Sequence, residues 1–204
     1  MKEAYVVLPN NEVAHKERYN RECGGFIHPS VSFGGKVTLG RNVVIEEGTH
    51  IGKECFIGHN AVIRPDCILD DYSELRVNGW MANNVRVGHH SVIYNYANLA
   101  MGTIVGSYVY FGVRSTTTNA QDIVLHRGRE FKCQAPIICS GVRIATAVTI
   151  LPGITVNQNA LVGAGSLVTK DIPGYEMWFG SPAVHRGYVG SQDVPEDWKK
   201  HGGG

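Results

Sequence analysis

The stretch LGRNVVIEEGTHIGKECFIGHNAVI, Leu39 to Ile63, places a large aliphatic side chain at every sixth residue: Leu39, Ile45, Ile51, Ile57 and Ile63. Outward from it, the same phase holds from Ile27 and Phe33 through Leu69, Leu75, Met81, Val87, Ile93, Leu99, Val105 and Phe111. That makes fifteen large apolar residues at fifteen successive sixth positions. With 43% of the chain hydrophobic, chance yields such a run roughly once in several hundred thousand trials. Four residues after each large side chain comes a small or β-branched one, such as Val43, Thr49, Cys55 or Ala61. Three residues after it, Asn or Gly recurs, as at Asn42, Asn60, Asn78, Asn84 and Gly102. Neither a helical nor an alternating strand period fits, and a hexad does. Three hexads close one triangular coil: the large residue points inward from a short strand, the small one fills the corner, and Asn or Gly takes the positive φ the corner demands.

The register breaks after Thr116 and resumes, shifted by three, at Ile138, Ile144, Ile150, Val156, Val162 and Val168. The repeats therefore predict an all-β chain, a parallel β-helix of about seven coils, roughly 34 Å tall at ~4.8 Å per stacked strand. Residues 1–26 are expected to cap the first coil, because a bare sheet edge invites aggregation. Residues 27–173 form the β-helix, interrupted by an excursion at 117–137 (TTNAQDIVLHRGREFKCQAP, Thr117 to Pro136). A loop that long inside a compact domain usually carries function. Residues 174–204 form a second cap and tail, with VPEDWKK (Val194 to Lys200) predicted as a short helix.

Nineteen Lys and Arg against eighteen Asp and Glu leave the chain nearly neutral, which argues against a charge-driven nucleic-acid binder. No apolar run is long enough for membrane insertion, and the N-terminal stretch turns polar after Leu8. A cytoplasmic protein is expected. Five cysteines without a CxxC pair argue against a disulfide framework or a zinc ribbon. Cys55 and Cys67 fall on the small inward position and read as core.

The hexad, an aliphatic residue followed by Gly and a small residue three further on, resembles the hexapeptide-repeat acyltransferases. The resemblance implies a left-handed parallel β-helix; the general rule for parallel crossovers would have made the coils right-handed. The segments ILPGITVNQNALVGAGSLVTKDIP (Ile150 to Pro173) and GSPAVHRGYV (Gly180 to Val189) are similar to the coenzyme A-binding end of that family. This implies acetyl-CoA as co-substrate, with its pantetheine arm beside Ala145, Ala147, Gly163 and Ala164. Lys170, Arg186 and the turn at Ser181 and Pro182 are then the candidates for its phosphates.

The segment from Ile93-Tyr94-Asn95-Tyr96-Ala97-Asn98 to Thr117-Thr118-Asn119 resembles the nucleotide-linked amino-sugar N-acetyltransferases. The resemblance implies a nucleotide-linked amino sugar as acceptor, with Asn95 and Asn119 at matching positions. Ala100-Met101-Gly102 stands where that subgroup has Tyr-Glu-Gly, and Thr117 where it has Phe. Residues eighteen apart stack in columns. Gly58, Arg76, Tyr94 and Gly112 form one column, Val62, Trp80, Asn98 and Thr116 another, and Asn60, Asn78, Tyr96 and Arg114 a third. Large polar and aromatic groups thus break the small-residue consensus beside the excursion, as a sugar or nucleotide site requires. Arg76, Trp80, Tyr94, Asn98, Arg114 and Asn119 are the acceptor-binding candidates. The family's sites lie between subunits, which implies a homotrimer.

N-acylation needs an uncharged amine to attack the thioester and a route for the proton it loses. Histidine is the commonest base, and His126 in the excursion and His90 in Val-Gly-His-His-Ser-Val are the candidates, with His59 behind them. A neutral amine positioned by Asn95 needs no base at all. Three other readings stay open: sugar O-acetylation, a γ-type carbonic anhydrase with zinc on three histidines, and a non-catalytic solenoid.

Overall fold

The computed structural model describes residues 6–8, 13–122, 128, 130 and 132–190. From Phe26–Ile27 to Leu167–Val168, twenty-two strands of two or three residues stack into three parallel sheets. The result is a left-handed β-helix of seven complete coils and the first strand of an eighth. Face I starts at Phe26–Ile27, face II at Ser32–Phe33 and face III at Val37–Leu39. Each strand pairs in register with the one a coil later, as Ile27 with Ile45 and Leu39 with Ile57. The large residue of each hexad points into the prism; Ile45, Ile51, Ile57, Ile63, Leu69 and Leu75 are fully buried. Burying each such side chain contributes roughly 1.5–3 kcal/mol.

Between faces the chain turns at three edges: I/II, II/III and III/I. The third residue after most inward side chains takes a left-handed φ, 57° at Asn42, 56° at Asn60 and 55° at Asn78. Its N–H donates to a carbonyl of the coil below, as from Asn60 to Arg41 and from Asn78 to His59. Small inward polar residues add a seam through the core. The hydroxyls of Ser73, Ser91 and Ser115 donate to the carbonyls of Gly88, Gly106 and Ala145 at 2.7–2.8 Å. The Cys55 and Cys67 thiols do the same toward Asp70 and Ala82, and burial pushes both up to about 11. They are core residues held as thiols.

The structure moves the interruption. The repeat continues one hexad beyond Phe111: Thr116–Thr117 is a face I strand, paired with Asn98 below and Thr149–Ile150 above. The excursion therefore spans 118–136 and splits the sixth coil at edge I/II, instead of separating five coils from two. Thr117 hides in this pattern because it fills an apolar slot with a polar side chain, 3% exposed. Its hydroxyl accepts from the Ala100 N–H at 2.8 Å and lies 3.0 Å from the Thr103 hydroxyl.

Both ends of the stack are covered. Val6–Val7 adds to face III beneath Val37, and the helix Lys16–Glu22 lies under the first coil. The side-chain amide of Asn20 exchanges two hydrogen bonds with the backbone of Ile27, standing in for a missing strand. Lys16 donates to the carbonyls of Pro29 and Val31. Tyr19, fully buried, donates to the Gly40 carbonyl at 2.7 Å and accepts from the Val43 N–H at 2.9 Å. At the top, a hairpin of Glu176–Gly180 and Ala183–Tyr188 extends face III. The expected helix over Val194 to Lys200 lies outside the described residues, so the cap seen here is this hairpin.

Tyr19→Phe strands a buried carbonyl and a buried N–H together, and is expected to lower unfolding stability by ~1–3 kcal/mol in urea titration. Thr117→Val keeps the shape but removes the acceptor for Ala100, and a loss of about 1–2 kcal/mol is expected by the same measurement.

Candidate functional site along one prism edge

Edge III/I collects most of the residues singled out from the sequence. Asn95 sits there half-buried, its carbonyl accepting from Arg114 while its side-chain amide makes no hydrogen bond among the described residues. Tyr96 and Arg114 follow in the left-handed column at φ 61° and 57°. The guanidinium of Arg114 lies 5.8 Å from the centre of the Tyr96 ring. Above them the same column continues as Ala147 and Gly165, φ 57° and 67°. The neighbouring column runs Asn95, Val113, Thr146, Ala164, so Asn95 and Ala164 are three coils, ~14 Å, apart along the edge. The hairpin turn at Ser181 and Pro182 stands above Gly163 and Ala164, fixed by Gly163 donating to Trp178 and Gly180 donating to the Ser166 hydroxyl. Edge III/I is therefore a polar and aromatic patch below, then a bare strip with almost no side chains, then an exposed turn.

The Gly column shows why the patch is unusual. A Cβ at Gly58 would stand 2.5 Å from the Val77 nitrogen, and one at Gly112 2.5 Å from Ala145. Arg76 and Tyr94 occupy this crowded column between them. Arg76 forms an ion pair with Glu74, its guanidinium 5.4 Å from the Phe56 ring and 5.8 Å from the Tyr94 ring. The Tyr94 and Tyr110 rings are 4.6 Å apart, and burial first, then Tyr94, pushes the Tyr110 hydroxyl above its usual value. Phe56, Glu74 and Tyr110 escaped the sequence reading. Reading the outward column of face III eighteen residues at a time would have found them. Trp80 and Asn98 lie exposed on face I, next to this edge.

Other candidates lie elsewhere. His90 is on edge II/III at φ 57°, stacked between Tyr72 at 4.9 Å and Tyr108 at 5.0 Å. Its Nδ1 lies 2.9 Å from that of His89. A full face separates it from Asn95 within one chain. Asn119 is on edge I/II, where its amide donates to the Met101 carbonyl at 3.2 Å and helps anchor the excursion, beside the Ala120–Cys133 bridge. Lys170 is exposed on edge I/II as well, away from Ala145, Ala147, Gly163 and Ala164. Gly163 has its missing side chain replaced by its own chain: a Cβ there would meet the Phe179 ring at 2.2 Å. Arg186 is exposed on the outer strand of the hairpin. His59 Nδ1 accepts from the Arg41 N–H at 2.8 Å, a scaffold role. His126 lies outside the described residues. Among the described residues no three His, Cys, Asp or Glu side chains of one chain gather as metal ligands.

No family model matches the sequence. A galactoside O-acetyltransferase of Lactococcus lactis is 30% identical over 145 residues, 67% of this chain and 64% of that protein. Serine acetyltransferase 4 of Arabidopsis thaliana is 35% identical over 92 residues, 45% of this chain and 26% of that protein. The chain thus spans less than two thirds of either relative. Among solved structures, the N-acyltransferase AntD of Bacillus cereus, crystallised with dTDP-4-amino-4,6-dideoxyglucose and coenzyme A, aligns over 98% of both chains at 14% identity and TM-score 0.42. The repeated hexad, the left-handed coils and the two acetyltransferase relatives make the chain similar to the hexapeptide-repeat acetyltransferases.

Proposed function

We propose that the protein transfers an acetyl group from acetyl-CoA to the amino group of a sugar, most simply a nucleotide-linked one, on edge III/I. The observation that carries this reading is the convergence of an unpartnered amide, Asn95, with the bare strip of Ala145, Ala147 and Ala164 and the turn at Ser181 and Pro182. Ala147 holds a left-handed φ that costs a non-glycine residue roughly 1 kcal/mol. Asn, used lower on the same column, fits that conformation better, but its side chain would roughen the strip. A smooth edge suits a long, thin donor such as a pantetheine arm, and relatives of the chain carry acetyltransferase names.

In this reading the thioester carbon meets the acceptor near Asn95. The neutral amine attacks the carbonyl, the new C–N bond forms, the C–S bond breaks, and the proton from nitrogen leaves with the thiol or to water. The Asn95 amide, able both to donate and to accept, orients the amine or a neighbouring hydroxyl without fixing a charge beside it. His90 can act as base only if another copy brings edge II/III to edge III/I, and His126 only through the excursion. The O-acetyltransferase relative keeps hydroxyl acceptors in the test. The reading includes a homotrimer in the cytoplasm, where acetyl-CoA is made and used; Trp80, Ile104 and Ile137, each about two-fifths exposed, are apolar surface for copies to cover.

Thiol release from acetyl-CoA should occur with nucleotide-linked amino sugars and not with simple glycosides or serine; thiol release with none of them would sink the reading. Asn95→Ala should lose at least ~10-fold in kcat/KM for the acceptor, while the apparent constant for acetyl-CoA stays put. Asn42→Ala, on the same edge three coils lower and bonded to Asn60 at 3.0 Å, should change stability alone. Sedimentation equilibrium is expected to return about three times the 22.3 kDa chain mass, and a fully active monomer at micromolar concentration would contradict the trimer.

A further inference from the structure

We propose that Arg114 forms an anion site on edge III/I that receives a phosphate group of the acceptor, so that the protein selects phosphorylated or nucleotide-linked acceptors over neutral glycosides. The proposal rests on the acetyl-transfer reading for what the anion belongs to, and on the charge layout for the site itself.

The chain is nearly neutral overall, with nineteen basic and eighteen acidic side chains, yet the three edges are not alike. Edge I/II carries Glu46, Glu47, Asp66 and Asp171, and edge II/III carries Glu54, Asp70 and Asp71. Edge III/I carries no carboxylate between Gly40 and Ser166, and the outward residues of face I beside it, from Phe26 to Leu167, include no charge of either sign. The cations of edge III/I are Arg41, Arg76 and Arg114. Arg76 is already neutralised by Glu74 and enclosed by two rings. Arg41 lies five coils below the coil where the bare strip begins. Arg114 is exposed, has no carboxylate partner among the described residues, and stands directly between Tyr96 and the strip that begins at Ala147.

Three further features fit Arg114 to an anion. Its corner residue holds φ 57°, a conformation that costs arginine more than the Asn or Gly found at other corners. Its guanidinium lies over the Tyr96 ring, which orders a flexible side chain, and its N–H donors make no hydrogen bond among the described residues. Above it, Ala147 and Gly165 leave the approach open, and the exposed Thr146 hydroxyl, one coil up in the Asn95 column, supplies a second donor. A planar fork of donors in an acid-free surface matches phosphate oxygens, bidentate and charge-assisted. A neutral sugar offers that fork nothing of comparable strength.

Phosphate on this edge has two sources, the acceptor or coenzyme A, and the test separates them. Isothermal titration of the full chain with UDP, dTDP, inorganic pyrophosphate and coenzyme A gives four affinities. Arg114→Gln is expected to weaken the best-bound of the first three at least ~10-fold while leaving coenzyme A within ~2-fold, with Arg114→Lys intermediate. Raising salt should weaken wild-type binding of that probe and flatten the difference between variants. The proposal is overturned if wild type binds none of the three, if Arg114→Gln leaves their affinities unchanged, or if the loss falls on coenzyme A instead. Unchanged melting temperature in both variants confirms that the exposed side chain is not needed for folding. Arg114-dependent phosphate binding without thiol release on any acceptor would uphold the anion site and reject acetyl transfer, so the two readings fail separately.

Discussion

Every coil is set on the one beneath it by a hydrogen bond from the left-handed corner residue: Asn60 to Arg41, Asn78 to His59, Tyr96 to Val77, Arg114 to Asn95, Gly165 to Thr146. The bond uses only backbone atoms. It demands a positive φ but no particular side chain, beyond the steric cost that favours Asn and Gly. Lower on edge III/I the column takes the inexpensive choice, Asn three times over. Higher up it takes Tyr96, Arg114 and Ala147, each less favourable in that conformation. The lattice is indifferent to this substitution, so the stack can hold chemistry at its corners without changing its geometry.

How much of this was legible in the sequence depends on what encodes each part. The hexad is repeated twenty-odd times, and its inward and corner positions could be read from spacing alone. The eighteen-residue columns followed, and with them the anomaly of Arg76 and Tyr94 in a column of glycines. Thr117 was not legible, because a threonine in an apolar slot looks like the end of the pattern until its bonds to Ala100 and Thr103 are seen. Nor was the assignment of candidates to edges complete. Asn119 and Lys170 sit near the other candidates in the sequence order and on a different edge in space, because a single hexad, six residues, carries the chain from one edge of the prism to the next. Gly163 matched a family motif, and its space is occupied by Phe179, a residue from the hairpin that no repeat announces.

The two ends of the prism show the same economy in a different form. Sheet edges require partners for their N–H and carbonyl groups, and the lower end supplies them with single side chains. Asn20 serves Ile27, Lys16 serves Pro29 and Val31, and Tyr19 serves Gly40 and Val43. One seven-residue helix thus satisfies a strand and two corners of the opening coil. At the upper end a hairpin extends one face, and its turn is delivered to edge III/I above the bare strip. The lower cap serves only the fold, whereas the upper one also shapes the candidate site.

The split sixth coil bears on how such a chain assembles and diversifies. Neighbouring strands elsewhere are eighteen residues apart, as Arg86 and Ile104; across the excursion Ile104 meets Ile137, thirty-three residues on. Loop-closure entropy grows only with the logarithm of length, so this detour costs under ~0.6 kcal/mol, less than one ordinary hydrogen bond. The coil below presents a finished template of carbonyls on which the returning strand lands in its proper phase, whatever the chain did in between. Insertions at that corner are thermodynamically almost neutral, and a long loop can be gained, lost or exchanged there while the rest of the prism keeps its count.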